Sequence, residues 1–369
     1  MKRSEQTFPQ NKLLCSHIKK FWKMGVFDEY SNEHFLIKAI ENDDEYFKNV
    51  FIRNRINPKS ALDFGFNFII NFNSRLHGLC QKFGEEKIEI FMKDQFSAGK
   101  AHYSESAFFE ALAEVHVLAH FLFFTNRRVL SAEYEPRLNG DSRCNPEARI
   151  EYDEDLIVDI EVKTPKFEPR DILKNALYPA VLLTDKGRQE LNAYCRQQKI
   201  SVQFPRVLKI KEFMNSANEK FSIPQNEKHF NLLFINWSYS DLYENPLFEP
   251  LSLFCNRANG LLVDKNIGKK LKIEEDAYEK ISAIIIYTIP VETLLFGDFR
   301  YLFRDRCYKI IINPYSRYSN SQLLHDLTGM AVHEPKELSC DLTTFFNFER
   351  KDWQKELLKI RDIIENNIL

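Results

Sequence analysis

Residues 156–164 hold three ionisable side chains at a spacing that could do chemistry. Side chains alternate faces along a strand. Leu156, Val158, Ile160 and Val162 therefore point one way, into a core, while Ile157, Asp159, Glu161 and Lys163 point the other. An acid and a lysine two residues apart on one face are suited to holding a divalent cation and a water beside a phosphate. Hard cations take carboxylate oxygens. The cation lowers the pKa of its bound water and neutralises charge developing on phosphoryl oxygens. A nearby ammonium helps to orient and deprotonate the attacking water. The plainer alternative for Glu161 and Lys163 is a cross-strand ion pair on a solvated sheet face, which contributes little.

Two further acids extend this set. Glu147 follows Asn145 and Pro146 and opens the preceding strand, over 147–152. A tight turn at Asp153, Glu154 and Asp155 folds the two strands into a hairpin and brings Glu147 towards Glu161. Two convergent carboxylates repel unless a cation sits between them, so the pairing itself predicts metal. A strand-edge acid near a turn is the other reading of Glu147. On a helix over 104–124, capped by Ser104 or Ser106, the apolar stripe is Phe108, Leu112, Val115, Ala119 and Leu122. Glu110 and Glu114 lie one turn apart on another face, beside Val117 and Phe121. Carboxylates among so many apolar residues are unusual unless paired or metal-bound, and Glu114, nearer the apolar margin, is preferred. An exposed position paired with a base one turn away would explain it as well. His116 and His120 have the spacing of helical metal ligands, but no third ligand follows.

The elements that position these groups are legible as periodicity. Residues 13 to about 100 mix apolar and charged residues as helices do, with segments at 33–42, 44–55 and 60–83 and a break at Asn57 and Pro58. A first strand is expected over 126–134, and Pro165 and Pro169 end the strand over 156–164. Helices follow over 186–198 and 207–221. Near-continuous apolar runs at 231–237, 282–289 and 308–313 suit strands buried on both faces of an α/β sheet. The tail, 345–369, ends in an amphipathic helix with Trp353, Leu357, Leu358, Ile360 and Ile363, suited to packing or partner contact.

In this order the chain resembles the PD-(D/E)XK nuclease superfamily: a helix bearing Glu110 and Glu114, a strand, Pro146-Glu147, a hairpin, then Glu161-Val162-Lys163. The resemblance covers roughly residues 104 to 240. It implies a restriction-endonuclease-like core, an α/β fold with a mixed central sheet flanked by helices. The helical N-terminal region and a helical C-terminal tail would flank it. It implies Mg²⁺, replaceable by Mn²⁺, held by Glu147, Glu161 and the backbone carbonyl of Val162, with Glu114 joining the metal network. Lys163 would assist the nucleophilic water, so that Glu147, Glu161, Lys163 and Glu114 form the catalytic set. A polar residue of the helix over 207–221, Lys211 or Asn218, would touch nucleic-acid phosphate. The activity implied is endonucleolytic cleavage of DNA in restriction or anti-phage defence, by a homodimer or with a partner protein. Glu147 departs from the family, which usually has Asp there; one added methylene shifts the coordination geometry. Two rivals stand beside this expectation: a nucleic-acid-binding module of the same fold whose nuclease site has decayed, and a scaffold that acts through protein partners by way of 1–100 and 345–369.

Composition bounds these readings. The 369 residues carry 51 basic and 53 acidic side chains, so a local basic groove rather than an overall positive charge would have to engage DNA. With 11 glycines and neither phosphate-loop pattern, nucleotide-binding classes find no support. Seven scattered cysteines, never spaced CxxC, read as reduced intracellular thiols. No signal peptide or membrane span is expected, and cytoplasmic localisation is the default. The expected division is a helical region over 1–100, a nuclease-like domain over 101–315 and a helical tail over 316–369.

Overall fold

The computed structural model describes residues 2–9, 13–53, 57–97, 102–138, 145–165, 176–237, 247–288, 308–339, 343–346 and 353–369. Pro169, Cys144, Cys307 and Cys340 lie outside the described residues. The chain is α/β, and it divides into two compact units: one drawn from residues 1–135 and 148–154, the other from 136–147, 155–288 and 306–369.

The first unit holds the helices α1 (Ser16–Lys23), α2 (Phe35–Glu41), α3 (Asp44–Arg53), α4 (Phe64–Phe83), α5 (Glu85–Asp94) and α6 (Glu105–Phe123). It also holds the antiparallel strands β1 (Val129–Tyr134) and β2 (Ala148–Tyr152). Many of the chain's 32 phenylalanines pack here. The Phe35 ring meets Phe47, Phe68 and Phe108 with centroids 5.2, 5.2 and 4.8 Å apart, at the separations aromatic pairs favour. Ser104 caps α6, its hydroxyl accepting from the Ala107 amide. From Phe108 to Leu122 every residue of α6 but Glu110 is buried, so a helix with an expected apolar stripe is enclosed all round. It is long and apolar enough to cross a membrane, and its burial is that of a core helix.

Buried histidines give this unit an acid-sensitive core. The His34 Nδ1 caps α2 by accepting the Leu36 amide at 3.0 Å, and its Nε2 bonds the Phe96 carbonyl. The ring is therefore neutral with its proton on Nε2. Burial pushes both His34 and His120 down to about 4. Between about pH 6.5 and 4 the unfolded chain binds protons that the folded chain refuses, so stability falls as pH falls through that window and is fully present above it. Urea unfolding followed by circular dichroism at pH 7.5 and 4.5 is expected to show the first unit weakened by up to about 3 kcal/mol per histidine at the lower pH. Equal stability at the two pH values would contradict it.

The second unit is built on a mixed sheet. Its strands β3 (Ile157–Lys163), β6 (His229–Asn236), β7 (Ala283–Tyr287), β8 (Tyr308–Ile312) and β9 (Val332–His333) lie in that order. β3–β6, β6–β7 and β8–β9 are parallel, and β7–β8 is antiparallel. Every residue of β6 and β7 is buried, which accounts for their near-continuous apolar runs. A second sheet pairs β10 (Thr343–Phe346) with β4 (Ala176–Pro179), and β4 with β5 (Ser201–Val202). The helices are α7 (Asp185–Gln197), α8 (Val207–Lys220), α9 (Phe248–Cys255), α10 (Lys265–Lys270), α11 (Glu275–Lys280), α12 (Ser321–Thr328) and α13 (Trp353–Glu365). The region over 316–369, expected as helix, thus also supplies a strand to each sheet. Its last helix packs inward: Ile360, Ile363 and Ile364 join Leu177, Leu191 and Cys195 in one buried cluster. The Leu369 amide closes this docking on the Leu182 carbonyl at 2.9 Å. Gly187 permits it, since a Cβ there would lie 2.4 Å from that of Asn367.

Candidate functional site

The parallel register of β3 and β6 decides what surrounds the ionisable face. Glu161 lies beside Leu233 and Lys163 beside Ile235, so these side chains share one side of the sheet. Leu233 and Ile235 belong to the core cluster that receives Val207, Ile210, Met214 and Ala217, the apolar stripe of α8. Covering that side of the sheet, α8 reaches the acids with its last residue. The Lys220 Nζ lies 2.8 and 3.0 Å from the two carboxylate oxygens of Glu161 and 3.4 Å from Oε1 of Glu147. A cation in the last turn of a helix is also favoured by the helix dipole.

Glu147 arrives by the expected turn. Glu154 and Asp155 adopt left-handed φ of 61° and 62°, which Asp tolerates better than most residues. The Glu147 amide then donates to the Ile160 carbonyl at 2.8 Å, placing the first acid next to the residue that precedes Glu161. Lys163 closes the group, with Nζ 2.5 Å from Oε1 of Glu161. The Glu161 side chain is 0% exposed, against 13% for Glu147, 22% for Lys163 and 20% for Lys220. This is not a solvated surface pair. The structure brings Glu147, Glu161 and Lys163 together and adds Lys220, giving two carboxylates and two ammoniums. Burial alone would lower the pKa of Lys220, but the charges of Glu147 and Glu161 outweigh it and hold the ammonium above the ordinary lysine range.

The other expected site residues have partners of their own. Lys211 and Lys220 are nine positions apart on a helix of about 3.6 residues per turn, so they project about half a turn apart, in opposite directions. The side of α8 bearing Asn215 and Asn218 is spent on protein. Asn215 bonds the Lys272 carbonyl and the Glu274 amide, and Asn218 donates to the Glu274 carboxylate. Asn218 is buried there, which speaks against its expected contact with phosphate. Val162 stands in the ladder beside Phe234. Glu114 is buried in the first unit, accepting a hydrogen bond from the Tyr134 hydroxyl at 3.2 Å. His116 and His120 are buried core residues of α6. Cys15, Cys80, Cys195 and Cys255 are buried and free of disulfides.

Asp159, two residues before Glu161, has its own arrangement. The fully buried His229 donates from Nε2 to Asp159 at 2.9 Å, while its Nδ1 accepts the Gln225 amide at 3.3 Å. With both ring nitrogens engaged, this pair fixes the start of β6 rather than serving a substrate.

Among the described residues no three His, Cys, Asp or Glu side chains are placed to hold a metal ion. Mg²⁺ demands less, since it keeps several waters and is commonly held by one or two carboxylates. Glu147 and Glu161, close enough to share one ammonium, fit that requirement; a structural zinc site, which needs four protein ligands, they do not. No protein-family model matches the chain, and no curated protein or solved structure is detectably similar to it.

Proposed function

We propose that this chain is a Mg²⁺-dependent endonuclease of the PD-(D/E)XK type that hydrolyses phosphodiester bonds in DNA. What supports the reading is one convergence. Glu147 and Glu161 share the Lys220 ammonium, and Lys163 lies against Glu161, as the ordered motif requires. The site stands at the C-terminal end of β3, where it runs parallel to β6, and open α/β sheets bind ligands at such strand ends.

In this reading Glu147 and Glu161 hold the cation, with the Val162 carbonyl as a further ligand. Bound there, Mg²⁺ would acidify a water and neutralise phosphoryl charge. Lys163, tethered to Glu161 and partly open to solvent, orients that water for attack on phosphorus and takes part in its deprotonation. Restriction or defence against foreign DNA, in the cytoplasm, is the setting that goes with the family, and pairing of two copies or with another protein would serve to cut two strands.

Titrating Mg²⁺ or Mn²⁺ against supercoiled plasmid tests this. Metal-dependent nicking that Lys163→Ala removes is expected. No nicking at any concentration of either ion would overturn the enzymatic reading. It would favour DNA binding without catalysis, for which the balance of two acids by two lysines already speaks, because such a cluster is neutral without metal.

A further inference from the structure

We propose that the Lys220 ammonium is the built-in counter-ion of the Glu147–Glu161 pair and that a divalent cation must displace it to bind, so that the end of α8 sets the cation affinity of the site. The inference rests on the metal-dependent reading above and adds to it a competitor within the chain.

The geometry carries the argument. A cation that neutralises both acids has to lie within reach of both carboxylates. The Lys220 Nζ is already there, 2.8 Å from Glu161 and 3.4 Å from Glu147. Lys163 also touches Glu161, at the same Oε1, but Lys220 is the ammonium that meets both acids and so stands where a shared cation would. Like charges a few ångströms apart in a partly buried site repel strongly. Lys220 and a divalent ion therefore exclude one another. The ammonium is able to leave, since it sits on a four-carbon stem at the last position of α8 and a fifth of its side chain is exposed. While it stays, it spares the buried Glu161 an uncompensated charge. On its departure the ammonium remains nearby, at the helix end, where an incoming phosphate could receive it.

Mn²⁺ binding to the full chain, measured by isothermal titration calorimetry, tests this with no need for activity. Lys220→Met and Lys220→Gln are expected to bind Mn²⁺ at least about tenfold more tightly than the wild type, because one competing charge is gone. Lys220→Arg, which keeps the charge, should stay within about threefold of the wild type. Should Lys220→Met and Lys220→Gln fail to fold by circular dichroism, the wild type itself gives the readout: Mg²⁺ should shift the side-chain ammonium resonance of Lys220. Folded Met and Gln variants that bind Mn²⁺ no better than the wild type, or an unmoved resonance in a protein that binds Mg²⁺, would overturn the inference and leave the metal site standing. If the wild type and the folded variants alike bind no Mn²⁺ at millimolar concentration, the metal-dependent reading fails, and the inference with it.

Discussion

Glu161→Gln is expected to reduce metal-dependent nicking of plasmid by roughly 10³-fold or more. The substitution keeps the shape of the side chain but removes the charge that the two ammoniums and the cation all address. Charge stabilisation by a catalytic metal is worth several kcal/mol, and each 1.4 kcal/mol is about a factor of ten in rate. Lys220 still has Glu147 at 3.4 Å, so the fold should survive, and circular dichroism run beside the nicking assay separates lost chemistry from lost structure. A folded Glu161→Gln protein that nicks at the wild-type rate would remove Glu161 from the catalytic set.

His229→Leu is expected to be the most damaging single change to stability in the second unit. It strips the His229 donor from Asp159, a carboxylate with no exposed surface, and leaves the Gln225 amide without its acceptor. Removing one partner of a buried pair costs about 3–5 kcal/mol, against a typical total stability of roughly 5–15 kcal/mol. Urea unfolding should show the stability falling by that amount, read as a lower midpoint with little change in slope. Asp159→Asn, which can still accept from His229, should cost less, about 1–2 kcal/mol. If the two variants were equally stable, or His229→Leu unfolded like the wild type, the pair would not be holding β3 to β6.

Much of the candidate site could be read from strand alternation and turn chemistry. Apolar and ionisable residues alternate through 156–164, and three acids in a row mark the turn, so the convergence of Glu147, Glu161 and Lys163 follows from local rules. Lys220 did not follow. The stripe of α8 has two polar flanks, one bearing Lys211 and Asn218 and the other Lys220. Periodicity alone does not say which flank meets the acids, because that depends on how the helix lies across the sheet. The register of β3 against β6 decides it. The neutrality of the site was hidden for the same reason: the predicted metal answered a repulsion that an ammonium from a distant helix already relieves. Glu114 and His116 were read by their positions around a helix that is in fact enclosed almost all round, where such position carries little information. Over 247–281 short helices such as α10 and α11, six residues each, owe their existence to packing rather than to any pattern of their own.

Parallel pairing of β3 with β6 also puts the site under the control of chain completion. Lys220 stands 73 residues beyond Glu147 and 59 beyond Glu161. Parallel neighbours need a long crossover, and contacts of such range form late. A nascent chain that has made the hairpin but not yet α8 carries its two acids with Lys163 alone to answer them. Any divalent ion in the medium then meets an unguarded pair. On the proposed reading, the finished protein would meet the same ion with Lys220 in place, and maturation itself would lower the appetite of the site for metal.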